Sequence, residues 1–204
     1  MMQIPILLLI TMQEEVQMAK RYDDPKELSK LLLETRRLKQ TANRSPYTVI
    51  LTILCYGLWK DYRYSQRKLA DFCQKFAEYD ERYFDKSYQK LVDELYNYAD
   101  WKVEHVKYTK DDYPHYKSKV MQASVEEQMR CANEINALST RYFTYGFCIL
   151  IEDGFGAKKL TNFKDKAQKR IQSITGDMRT GTINDLWKEL ATGAGIYIEK
   201  PKID

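Results

Sequence analysis

Two histidines and four widely separated cysteines, none in a C-x-x-C pair, leave little from which to build a zinc site or a Cys/His nucleophile. Cys55, Cys73, Cys131 and Cys148 each fall inside an apparent helix and read as reduced, buried small hydrophobes of a cytosolic protein. A bilayer-spanning run is lacking too. The apolar stretch from Ile4 to Ile10 is far too short, no Lys or Arg precedes it, and no small-residue cleavage site follows, which argues against a signal peptide or anchor. Neither sign of charge dominates. The 33 Lys and Arg against 29 Asp and Glu leave a net charge of +4, which permits contact with nucleic acid without demanding it. Gly154 and Gly156 lack the upstream strand and the Gly-Lys-Ser/Thr pattern of a phosphate loop, and read as turn glycines.

What the chain does have is ordinary globular material, 44% apolar and 30% charged, enough for one compact domain or two small ones sharing a core. Sixteen tyrosines stand out, eleven of them between Tyr56 and Tyr116. Most are expected to bury the ring and keep the hydroxyl wet at helix surfaces, with base stacking or partner anchoring as the alternative use.

Helix signals divide the chain. Asp24-Pro25-Lys26-Glu27 supplies a cap, a first-turn proline and a Glu three residues after the cap, and Leu28, Leu31, Leu32, Thr35 and Leu38 then repeat at helical spacing. Ser45-Pro46 opens a second helix with Ile50, Leu51, Leu54 and Leu58 on one face, ending near Asp61 to Arg63. Ser65 caps a third with Leu69, Phe72, Cys73 and Phe76 inward, and Ser87 a fourth with Leu91 and Leu95 inward. Trp101 to Tyr108 alternates as a short strand or extended arm. The capping box Ser124-Val125-Glu126-Glu127 opens a long helix that lasts until Asp153-Gly154, apolar nearly all round from Tyr142 to Ile151 and therefore central. A helix from about Ala157 to Ser173 and a short one capped by Thr182 and Asp185, ending at Gly193 or Gly195, complete the chain. At the other end, the codons for Gln13 to Gln17 can read as a ribosome-binding site just before Met18, so translation is expected to begin there.

Tyr56 to Lys75 overlays Phe147 to Lys166 without a gap: Asp61 meets Glu152, Tyr64 meets Phe155, Leu69 meets Leu160, Phe72 meets Phe163, and basic residues match at Arg67/Lys158, Lys68/Lys159 and Lys75/Lys166. After a four-residue insertion, Leu91, Glu94, Leu95, Val103 and Glu104 meet Leu186, Glu189, Leu190, Ile198 and Glu199. The expected fold is mainly α, a helical bundle of two diverged helical-hairpin repeats packed about a pseudo-twofold, with a short two-stranded β element. Residues 1–17 read as a non-native or disordered extension, 18–45 as an N-terminal helix, 46–108 as the first repeat, 109–122 as a connector and 123–204 as the second repeat with the long central helix.

The run Gly154-Phe155-Gly156-Ala157-Lys158-Lys159-Leu160 with Phe163 resembles the F-G-F-G-x-K-R-L-x-x-F signature of small helical proteins from temperate phages and prophages of Gram-positive bacteria. Glu152-Asp153-Gly154 replaces the usual His-Asp-Glu type of run, so no role of that histidine carries over. The resemblance implies an accessory factor that binds DNA, or an inhibitor that docks on host defence machinery in the manner of anti-CRISPR proteins.

Neighbours on a helix do not face each other, so Glu152 and Asp153 make a poor acid/base pair. Asp111, Asp112 and His115 read as a solvated connector before they read as a metal or enzyme site. The basic residues are more informative. Lys68/Lys75 and Lys159/Lys166 each lie seven residues apart on a stripe beside the buried face. With Arg63, Arg67, Lys158 and Arg170 they are expected to line one surface, unless Asp71, Glu78 and Asp165 make it an ordinary solvated face. The leading expectation is a non-enzymatic phage-encoded inhibitor in the bacterial cytoplasm, docking on a host protein or nucleoprotein complex such as a Cas nuclease, without metal, cofactor or membrane. A DNA-binding accessory or regulatory protein is the alternative.

Overall fold

The computed structural model describes residues 3–4, 26, 29–33, 35, 46–84, 88–105, 107–113, 115–116, 118–175 and 182–198. The protein is mainly helical, as its patterning predicts. Helical residues 29–33 (α1) are followed by α2 (Pro46–Tyr62), α3 (Gln66–Tyr83), α4 (Tyr88–Ala99), α5 (Lys119–Glu152), α6 (Ala157–Thr175) and α7 (Ile183–Glu189). A π-turn, Leu190–Ala194, continues α7. Gln3–Ile4 (β1) pairs in parallel with Glu104–His105 (β2), inside the segment whose alternation predicts a strand. The caps at Asp24 and Ser87 and the proposed start at Met18 lie outside the described residues.

Two helices form the centre. Tyr142 to Leu150 of α5 is buried on every side, and so is Ile50 to Cys55 of α2. They come close at Gly146, where an added Cβ would meet Leu54 Cδ1 and force that side chain to shift. Around this pair the outer helices cross over: α4 packs on α5, α6 and α7 pack chiefly on α2, and α3 bridges both. Leu69, Phe72 and Phe76 of α3 and Leu160 and Phe163 of α6 are among the most buried side chains, as their spacing predicts. Cys73 departs from the prediction and is half-buried, with its Sγ 3.6 Å from that of Cys55; none of the four cysteines is in a disulfide. No helix among the described residues is long and apolar enough to cross a membrane.

Two expectations need correction. Helix α5 begins at Lys119, not at the Ser124 capping box. Met121 and Val125 pack on Leu31 and Tyr113, and this tertiary burial extends the helix past its local start signal. Ser124 is buried instead, 8% exposed. Leu31 of α1 and Thr35 face α5, where Gln128 Nε2 donates to the Leu31 carbonyl (3.2 Å) and to Thr35 Oγ1 (3.0 Å). That rotation leaves Leu32 outward, 46% exposed. The tyrosines behave mostly as packing residues: Tyr79, Tyr113, Tyr142 and Tyr145 are buried, and many rings meet edge to face.

The stretches that overlay in sequence also share local geometry. Gln66 and Ala157, matched positions, each open a helix, and the N–H groups of matched Leu69 and Leu160 donate to the matched carbonyls of Ser65 and Gly156, both at 3.0 Å. The described residues with positive φ fall into two pairs, Arg63 (54°) with Gly154 (81°) and Asp100 (53°) with Gly195 (66°). Each pair occupies matched positions of the overlay. Past them, Trp101 and Ile196 are both buried.

Candidate functional site

Two tight turns sit side by side at one end of the central helices. The first follows α2: the Arg63 and Tyr64 amides donate to the Trp59 and Leu58 carbonyls, both at 3.1 Å, and Ser65 Oγ accepts from the Lys68 amide at 3.4 Å to start α3. The second follows α5, where the Gly154 and Phe155 amides donate to the Ile151 and Leu150 carbonyls at 2.9 and 2.8 Å. Aromatic contacts join the turns. The Tyr62 and Phe155 ring centroids lie 5.3 Å apart and those of Tyr64 and Phe155 6.3 Å, while Tyr62 Oη donates to the Lys159 carbonyl at 3.5 Å. Tyr98 Oη, on α4, donates to the Phe155 carbonyl at 2.8 Å.

The eight basic residues predicted to form one surface separate into two sets. Lys75, Lys166 and Arg170 serve inside the molecule. Lys75 pairs with Asp153, whose hydrogen bond raises the lysine pKa. Arg170 pairs with Asp61, and Lys166 Nζ lies 4.0 Å from the same carboxylate. The stripes of lysines are therefore not a free face, because their inner ends hold the two halves together. Arg63, Arg67, Lys68, Lys158 and Lys159 are exposed and make no ion pair among the described residues. Lys68 Nζ stands 5.5 Å from the Tyr64 ring centroid, and Lys159 Nζ stands 3.7 Å from that of Phe155, so matched lysines rest on matched rings.

These cations are placed against a general rule. A helix start is the positive end of its dipole and favours acidic side chains, each cation there costing about 0.3–1 kcal/mol. Neither α3 nor α6 has an acid in its first turn, and each has two cations, Arg67 with Lys68 and Lys158 with Lys159. The positive ends of two helices and five cationic side chains thus converge on the paired turns. Tyr64 adds a hydroxyl that stays protonated, since burial, with Asp153 nearby, pushes its pKa to about 12. Farther along α3, Asp71, Glu78 and Glu81 are exposed as well.

Sequence reasoning matched Asp61 with Glu152 but missed what they do. Each ends its central helix and accepts a hydrogen bond from the opposite half: Arg170 donates to Asp61, and Tyr79 Oη donates to Glu152 Oε1 at 2.6 Å. Tyr79 and Arg170 are themselves matched positions. An acid at the same place in both overlaid stretches was the available signal. Asp112 of the connector accepts from the Thr109 amide and hydroxyl (2.7 and 2.9 Å), bonds that hold its carboxyl below the usual range, so it acts as a turn cap. No group of three His, Cys, Asp or Glu placed to hold a metal ion occurs among the described residues. In comparisons with protein families, curated proteins and solved structures, nothing matches this chain.

Proposed function

We propose that the protein is a non-enzymatic binding protein, made of two diverged copies of a three-helix unit, that holds nucleic acid by its phosphate backbone at the paired turns. The observation that carries this reading is the set of unpaired cations in the first turns of α3 and α6, where they weaken their own helices. An arrangement unfavourable to folding is what an anionic partner would reward. Phosphate oxygens accept from Arg, Lys and tyrosine hydroxyls, which are the groups gathered here. The resemblance to phage proteins fits a DNA-binding accessory role.

Salt titration of DNA affinity tests it. Engagement of Arg63, Arg67, Lys68, Lys158 and Lys159 gives a slope of log K against log salt of about −4.5. Replacing Arg67, Lys68, Lys158 and Lys159 together with Gln should abolish binding and raise the melting temperature. A variant that loses stability and still binds DNA overturns the reading. Docking on a host nucleic-acid-handling complex, as an anti-CRISPR-like inhibitor would, predicts instead little affinity for free DNA and co-purification with a nuclease.

A further inference from the structure

We infer that the nucleic acid is double-stranded and is held across a local dyad, with Arg67 and Lys68 meeting one backbone and Lys158 and Lys159 the other; this rests on the reading above. The cation pairs occupy matched positions, one residue after matched helix starts at Gln66 and Ala157. Their surroundings correspond as well, Lys68 beside the Tyr64 ring and Lys159 beside the Phe155 ring.

The contacts between halves are reciprocal. Tyr79 of the first half reaches Glu152 of the second, while Arg170 of the second reaches Asp61 of the first, each residue being the counterpart of the one it mirrors. Two units that exchange equivalent contacts are related by a twofold rotation. A residue that touches its own counterpart lies beside that axis, and Tyr64 touches Phe155. The axis therefore leaves the molecule between the two turns, with one cation pair on each side.

A partner that satisfies both sides equally must present phosphates with the same symmetry. An antiparallel duplex does so at every base pair, because its strands are related by local dyads. A single strand has a direction and no twofold. Backbone contacts carry no base information, so duplexes of unrelated sequence should bind alike.

Fluorescence anisotropy of the full chain with labelled duplexes of unrelated sequence, and with the single strands they contain, tests the inference. Duplexes are expected to bind about tenfold tighter than either strand, through the added phosphate contacts. The double variants Arg67→Gln with Lys68→Gln, and Lys158→Gln with Lys159→Gln, should weaken duplex binding by similar factors and each lower the salt slope by about 2. Circular dichroism confirms that both variants are folded. Equal affinity for single strands, or one double variant binding as well as the parent, overturns the duplex inference and leaves nucleic-acid binding standing. Polyglutamate competing as well as DNA overturns it too, and marks a surface for acidic proteins. No binding to either form at low salt removes the nucleic-acid reading itself.

Discussion

Arg63 holds a left-handed backbone, φ 54°, at the position that the sequence overlay matches to Gly154, φ 81°. A residue with a Cβ is disfavoured there, and glycine is the usual solution to a helix end. No heavy atom lies within 4 Å of the site a Gly154 Cβ would take, so Gly154→Ala adds backbone strain without a steric clash. It should lower stability by about 1 kcal/mol in urea unfolding. Arg63→Gly relieves the same strain but loosens the unfolded chain, and should shift stability by less than about 0.5 kcal/mol. A large loss from Arg63→Gly would mean that the arginine side chain, rather than the turn, is the structural element.

At the level of helices, the acids at the ends of α2 and α5 have partners of different strength. Asp61 is only 18% exposed and meets two cations, one of them an arginine that is 17% exposed. Asp61→Ala strands that arginine and should cost about 2–3 kcal/mol. Glu152→Ala removes one hydrogen bond from a neutral tyrosine and should cost about 1 kcal/mol by the same denaturation assay. Between α2 and α7, Glu189 accepts from Lys60 and from Tyr56 Oη, both at 3.0 Å, and these bonds hold its carboxyl below the ordinary 4.5. A depressed native pKa gives stability that is present above the unfolded value and lost as pH falls below it. Glu189→Gln should therefore destabilise the protein at neutral pH, with the difference from the parent shrinking below about pH 4.5.

For the molecule as a whole, crossed packing makes the halves interdependent. Helix α4 lies on α5 and helices α6 and α7 on α2, so neither half keeps its core covered alone. A single unfolding transition is expected, with far-ultraviolet dichroism and tyrosine fluorescence coinciding. Phe163→Ala, in the second half, should cost about 3–5 kcal/mol and lower hydrogen-exchange protection in α2 as much as in α6. Separate transitions would show that the halves fold independently. The sequence by itself determined the elements, because helix ends are local chemistry: Ser65 and Thr182 cap, Asp153-Gly154 stops α5, and the all-round apolar run from Tyr142 marks the buried centre. Tertiary structure decided the rest, including the earlier start of α5 and the sorting of eight similar cations into five exposed and three engaged. Lys75, Lys166 and Arg170 find their acids on the other half, and contacts between residues so far apart in the chain exist only once the helices have crossed.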